Sequence, residues 1–312
     1  MKHAIISDIH GNYHAFTAVL ADAKAQGADM FLLLGDYTSN YPFGNDVVSA
    51  MRKLEPITAI RGNGEGYFTN LHGCDPSELS HEQFKPVYWG YRTLTPKNHE
   101  YLAGLPETTT ISSGKFEIHL AHSLRLFFRN PKVKLFHSDH FRALMNAERF
   151  TRDEYLVRAK DALLSCPEAV AEMMQLPKGI YLFGHNHLQF HMEYEGRLFI
   201  NPGSCGEPLD WDTRAPYTLL TVTESGWAVD ERRVEYDLEA AADGLSASGF
   251  TEYAPVWSEI LKLELFTGKD HFAPFVMHLA KTSQNMGSTE FPVNNDVWDA
   301  AVKTWDANMI LV

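Results

Sequence analysis

Apolar positions set the first pattern along the chain. Residues 2–7 (KHAIIS) form a short β-like run, residues 12–26 carry Phe16, Val19, Leu20 and Ala23 at helical spacing, and Gly27 closes that period. Residues 30–34 (MFLLL) then read as a buried strand. A helix at 45–54 and a strand at 57–60 (ITAI) continue the alternation, which predicts a parallel sheet with crossover helices. Between 70 and 115 the pattern weakens, apart from a helix near 97–104, until 116–121 (FEIHLA) offers another strand. Residues 139–175 read as mainly helical, restarted at Pro167 and ended by Pro177-Lys178-Gly179, and form an insertion at about 137–176. Short strands follow at 180–183, 190–194, 197–200, 217–222 and 226–235, with Glu195-Gly196 as a hairpin turn, and they predict a second sheet packed on the first. After about residue 236 the periods become helical: Val256, Trp257, Ile260 and Leu261 share one stripe, Phe272, Phe275, Val276 and Leu279 another, and Val297, Trp298, Val302 and Trp305 a third. We therefore expect an α/β domain over 1–235 and a C-terminal helical extension, 236–312, packed on it.

Charge narrows the partners. With 27 basic against 40 acidic side chains the net charge is −13, a field that repels nucleic acid and anionic membrane. An anionic substrate would need locally supplied positive charge. The three cysteines, Cys74, Cys166 and Cys205, are widely spaced and odd in number, which points to a reducing compartment and a cytoplasmic location. No stretch reads as a signal peptide or as a membrane span.

Five polar clusters sit directly after expected strands: Asp8-Ile9-His10-Gly11-Asn12, Gly35-Asp36, Gly62-Asn63-Gly64-Glu65, Ala121-His122-Ser123 and Gly184-His185-Asn186-His187. In an open α/β sheet the carboxyl ends of the strands line one crevice, so distant residues can converge there. Carboxylate, carboxamide and imidazole in these clusters suit Mn, Fe, Zn or Co, and none of the clusters relies on thiolate. Taken singly the fragments are weak: Asp8, Gly11 and Asn12 would also serve as the turn and cap of the following helix. Their order and shared position are what point to a metal site.

D-x-H, G-D, G-N-x-E, a lone His after a strand and G-H-x-H, in this order, resemble the metallophosphoesterase (calcineurin-like) superfamily. Asp-Ile-His-Gly-Asn and Asn201-Pro202-Gly203-Ser204 further resemble its small bacterial and archaeal phosphodiesterase branch. The resemblance spans roughly 1–235. It implies a four-layer α/β/β/α sandwich of two mixed sheets and two divalent ions, one bound by Asp8, His10 and His187, the other by Asn63, His122 and His185, with Asp36 bridging. Asp36, Asn63 and His122 are expected to act in catalysis as well as in metal binding. The implied activity is hydrolysis of a small phosphate ester by a hydroxide bridging the metals. Many members carry a His after the G-N pair; here that position is Gly64, which favours a diester over a monoester with a poor leaving group. His14, Glu65 and His72 are the candidates to replace it, and Asn12, Arg61 and His14 are expected near the phosphate. The insertion and the helical extension are expected to shape the substrate pocket, while Asn201-Pro202-Gly203-Ser204 shapes a loop near the metals. A phosphomonoesterase, a non-catalytic scaffold and a nuclease are the competing readings. Complete ligand positions weigh against the scaffold, and the acidic charge against the nuclease.

Overall fold

In the computed structural model, which describes residues 1–74, 80–130, 133 and 152–306, the period of two along each strand sorts the core into layers. Strand β1 (Lys2–Ile6) is followed by helix α1 (Tyr13–Ala25) and by β2 (Met30–Leu33), parallel to β1; α2 (Gly44–Met51) then leads to β3 (Ile57–Ala59), parallel to β2. Next come α3 (Asn63–Leu71), α4 (Lys85–Thr93), α5 (Pro96–Ala103), β4 (Thr108–Ser113) and β5 (Phe116–Ala121). Two helices, Arg152–Leu164 and Pro167–Gln175, precede β6 (Ile180–Leu182), β7 (Gln189–Tyr194), β8 (Arg197–Pro202), β9 (Ala215–Val222) and β10 (Trp227–Val234). The first sheet runs β10-β9-β1-β2-β3 and the second β4-β5-β6-β8-β7. Both are mixed, because β9 joins β1 antiparallel and β4 and β7 flank a parallel β5-β6-β8 core.

Alternate side chains build the layers. Ile5, Leu32, Leu34, Leu220 and Val222 of the first sheet meet Ile118, Leu120, Ile180, Leu182, Leu198 and Ile200 of the second, so these faces form the middle of the sandwich. The opposite face of the first sheet, with Ala4, Ile6, Phe31 and Leu33, packs on Phe16, Val19 and Leu20 of α1 and Val47 and Val48 of α2. Tyr181, Phe183, Phe190 and Phe199, on the outer face of the second sheet, pack on Ala159, Leu163, Ala169 and Met173 of the helices Arg152–Leu164 and Pro167–Gln175. The four-layer sandwich expected above is thus seen directly. The buried positions of α1 repeat at helical spacing, and Gly27, at φ +74, follows the helix where a left-handed residue is needed. Glu195 and Gly196, at φ +50 and +76, make the tight turn between β7 and β8, with Tyr194 opposite Arg197.

The weakly patterned stretch holds more structure than its sequence announces. Thr108–Ser113 pairs with β5 as an edge strand although Ile111 is its one large apolar residue. Helix α3 starts in Asn63-Gly64-Glu65-Gly66, residues that favour turns. It is anchored instead from outside, since Glu65 reaches back to accept from the Gly62 N–H at 2.8 Å. The expected insertion begins at residues that lie outside the described ones; from 152 on it is helical.

Helices also follow β10, at Leu238–Ala247, Phe250–Tyr253, Pro255–Thr267, Phe272–Asn285 and Asn295–Thr304. Trp257, Ile260, Leu261, Phe275, Leu279 and Trp298 share a core with Tyr41 of the loop after β2. The Tyr41 hydroxyl donates to Leu261 O at 3.3 Å, and a Cβ on Gly244 would collide with the Phe43 ring. None of the described helices is long and apolar enough to cross a membrane.

Candidate metal centre

All five polar clusters lie just beyond the carboxyl ends of β1, β2, β3, β5 and β6. Asp8 and His10 follow β1, Asp36 follows β2, Asn63 follows β3, His122 follows β5, and His185 and His187 follow β6. Five of these residues occupy the left-handed backbone region: Asp8 at φ +51, His10 at +50, Asp36 at +54, His185 at +75 and His187 at +59. Such backbone costs roughly 1–3 kcal/mol per residue and concentrates at functional sites. Hydrogen bonds between the loops hold it, among them Asp8 N–H to Gly35 O at 3.0 Å and His10 N–H to Asp36 O at 2.9 Å.

The side chains meet around Asp8, which is fully buried. Its Oδ2 accepts from the His185 N–H at 3.0 Å, whereas Oδ1 is buried without a hydrogen-bond partner. Facing Oδ1 are three imidazole nitrogens, His187 Nε2 at 3.6 Å and His10 and His122 Nε2 at 3.9 Å each. His10 and His187 bring their Nε2 atoms within 3.1 Å of each other. His187 donates its Nδ1–H to Glu207 O at 3.0 Å, and His122 donates its own to Leu34 O at 2.8 Å. With a cation in place, each bond would leave Nε2 as the ligating nitrogen, the usual backing of a ligating histidine. Spacings too long for hydrogen bonds, around an orphaned carboxylate oxygen, fit ligands that share a cation.

A second group adjoins the first. His122 Nε2 lies 3.4 Å from Asp36 Oδ2 and 3.0 Å from Asn63 Oδ1, and the His185 ring stands edge-on to His122 with centroids 5.1 Å apart. Two candidate ligand groups result, Asp8-His10-His187 and Asp8-Asp36-His122. Asp8 is common to both groups, while Asp36 has its Oδ1 held by the Gly64 N–H at 2.7 Å and its Oδ2 toward His122. Burial would raise both acid and base costs here, but the charge of His122 outweighs it and holds the Asp36 carboxyl well below its usual range. Burial likewise opposes a charge on His122, yet Asp36 and Asp8 push its imidazole up to about 10. Carboxylates that stabilise a proton so strongly are placed to stabilise a divalent cation in its stead. Glycine is required at two close approaches: a Cβ on Gly62 would fall on Asp36 Oδ1, and one on Gly184 on Ser7 Oγ and Asp8 Oδ2.

Several expectations need correction. Asn12 is fully buried: its Oδ1 caps α1 by accepting from Ala15 N–H, and its amide donates to Gly206 O and the Tyr236 hydroxyl. Both ends are committed to the fold, so it does not reach a phosphate. His14 packs edge-on against Phe43, with ring centroids 5.6 Å apart. His72 is exposed at the end of α3. Glu65 is buried, and its carboxylate accepts from the N–H groups of Asp36 at 3.0 Å, Tyr37 at 2.9 Å and Gly62 at 2.8 Å. It thereby holds the Asp36 loop. Arg61, in contrast, lines a cavity of about 490 Å³ together with Asn63, His122 and His185. No described residue of the helices Arg152–Leu164 and Pro167–Gln175 or of the C-terminal helices lines that cavity; α3 and the segment after His122 do.

One acid was missed. Glu207 is buried, with Oε2 3.8 Å from both His10 Nε2 and His187 Nδ1, and Asn40 donates to both of its oxygens. Its signal was an acid three residues beyond Ser204 in a strand-end loop. That loop braces the cluster: Ser204 Oγ donates to Asp8 O at 2.7 Å, and Asn201 donates to Gly184 O at 3.0 Å.

Residues 1–225 match the model of the Calcineurin-like phosphoesterase superfamily domain. The uncharacterized protein MJ0912 of Methanocaldococcus jannaschii is 24% identical over 273 residues, covering 80% of this chain and 94% of its own. A metallophosphoesterase from Sphaerobacter thermophilus superposes with a TM-score of 0.60 at 22% identity, covering 86% of this chain and 100% of its own. The hypothetical protein PH1004 from Pyrococcus horikoshii OT3 superposes with a TM-score of 0.57 at 18% identity, covering 86% and 99%.

Proposed function

Because the chain belongs to the calcineurin-like phosphoesterase superfamily, we propose that it is a metal-dependent phosphodiesterase acting on a small phosphate ester, with a pair of divalent ions drawn from Mn, Fe, Zn and Co. The observation that carries this reading is Asp8 Oδ1, a buried carboxylate oxygen without a hydrogen-bond donor, faced by three imidazole nitrogens at 3.6–3.9 Å. Leaving such an oxygen uncompensated would cost several kcal/mol. Asp8, His10 and His187 would hold one ion and Asn63, His122 and His185 the other, with Asp36 shared between them. Bound there, the ions supply Lewis acidity, which lowers the pKa of water and neutralises phosphate oxygens.

The chain's own residues do the rest. Leu34 O and Glu207 O accept from Nδ1 of His122 and His187, which would leave Nε2 of each ring for a bound cation. Glu65 holds Asp36 through the backbone, and Arg61, at the cavity edge, orients a phosphate oxygen by a charge-assisted hydrogen bond. Gly64 offers its N–H to Asp36 and no side chain to a leaving group, which favours diesters whose leaving groups depart without a proton donor. With all seven ligand-type side chains brought to five adjacent strand ends, a catalytic reading is preferred to a scaffold. Three cysteines free of disulfides support a cytoplasmic setting.

Metal-stripped protein should hydrolyse bis-p-nitrophenyl phosphate faster than p-nitrophenyl phosphate once Mn²⁺ is restored, and neither without it. A monoester preference would transfer the reading to a phosphomonoesterase, and absence of turnover with any of the four metals would leave a scaffold.

A further inference from the structure

The cavity beside the candidate metal centre is larger than one phosphate needs, and its lining is chemically uneven. Arg61 lies two residues before Asn63, while Arg125 comes from the short 3₁₀ turn Leu124–Phe127 that follows His122. Neither guanidinium has a hydrogen-bond or ion-pair partner among the described residues. In a chain of net charge −13, two unpaired arginines on one cavity are a local reversal of the field. Tyr67 of α3 and Leu126 of the same 3₁₀ turn, both large and substantially exposed, line the space as well. An aromatic face and an aliphatic side chain offer a flat apolar group a surface to lie on. Glu107, an exposed carboxylate, is the acidic lining residue, leaving an excess of positive charge and an acceptor for a hydroxyl or amine.

We infer that Arg125 forms a second anion subsite and that the substrate of the proposed phosphodiesterase carries a second phosphate beyond the scissile one, joined to it through a nucleoside-like group that rests on Tyr67 and Leu126. This rests on the metal-dependent phosphodiesterase reading for the scissile position, with Arg61 and the metals serving that phosphate. Arg125 serves the distal one. The guanidinium fork suits a terminal phosphate, whose oxygens accept two parallel hydrogen bonds.

The test compares two ligands that differ by one phosphate. Thymidine 5′-monophosphate and thymidine 3′,5′-bisphosphate are titrated by calorimetry into Mn²⁺-loaded wild type, Arg125→Ala and Arg125→Lys. Wild type should bind the bisphosphate about tenfold more tightly, the worth of one charge-assisted contact. Arg125→Ala should bring the ratio close to one, and Arg125→Lys should keep part of it. Because the ratio is taken within each protein, a loss of folded material lowers the stoichiometry for both ligands alike and leaves the ratio of affinities intact. Equal affinities in wild type, or a preference that survives Arg125→Ala, would overturn the subsite. The p-nitrophenyl 5′-esters of the same two ligands separate this from the activity: no turnover of either sinks the phosphodiesterase, whereas turnover without a 3′-phosphate effect on KM sinks the subsite alone.

Discussion

Asp36 and Glu65 show how two neighbouring acids take different work from their surroundings. Asp36 Oδ2 faces His122, while Oδ1 is tied to Gly64 N–H. Asp36→Asn removes the charge and keeps the shape, so turnover should fall by on the order of 10²–10³-fold. Bound metal should drop in parallel while the circular dichroism spectrum is kept; full turnover would show that the site is elsewhere. Glu65 was expected as a stand-in acid for the absent His at Gly64, and the structure makes it a brace. Burial and the Asp36 charge push its carboxyl up to about 7, against the pull of three backbone N–H donors. In Glu65→Gln one acceptor becomes a donor, leaving a buried N–H without a partner at a cost of about 1–3 kcal/mol. Metal affinity should weaken roughly 10–100-fold, as for other groups that position ligands. Urea unfolding and metal titration of the variant read the two effects separately, and unchanged values in both would remove Glu65 from the design.

At the scale of elements, the C-terminal helices act on the site through the loop that leaves Asp36. Tyr41 belongs to their core and Phe43 meets Gly244, so residues 37–43 are clamped between the sandwich and the helices. Trp257 is the centre of that clamp: buried, stacked on Phe272, edge-on to Phe275 and tilted against Trp298, and bonded through Nε1 to Glu82 O at 2.8 Å. Trp257→Ala should cost about 3–5 kcal/mol in urea unfolding. A loss under 1 kcal/mol would mean that the helices are not bound into the cooperative unit. The helical stripes of this region were legible, because 3.6-residue periodicity is a local property; their attachment at Tyr41 was not, because Tyr41 lies 220 positions from Leu261.

For the whole molecule, the joint between the sheets carries a titratable group. His3 is fully buried on the inter-sheet side of β1, with Nε2 2.9 Å from Ser113 Oγ of β4. Burial, helped by the N-terminal ammonium and opposed by Asp29, lowers its pKa to about 4. The unfolded chain therefore takes up a proton below its ordinary 6.5 that the folded one refuses, so this stability is present above 6.5 and is lost as pH falls toward 4. At about 1.4 kcal/mol per pH unit the loss approaches 2–3 kcal/mol. Glu65 and Glu264, both raised by burial, act in the opposite sense, so the informative quantity is a difference. Relative to wild type, His3→Gln should gain about that much stability between pH 6.5 and 4.5 in urea titrations; parallel pH profiles would show that His3 is not the group.

Alternation of apolar side chains was enough to establish two stacked sheets, since a period of two buries one face whatever the partner. The order of Asp8-x-His10, Asp36, Asn63, His122 and His185-x-His187 at strand ends was likewise enough to indicate a metal site, because parallel strands bring their carboxyl ends to one edge. Only the tertiary structure decided the rest. That Asn12 caps a helix, Glu65 braces a loop, Glu207 approaches His10 across nearly two hundred residues and Arg125 shares a cavity with Arg61 depends on which loops meet in space. Hydrogen-bond partners and burial are set by those long-range meetings, and neither the type of a residue nor its neighbours in the chain encodes them.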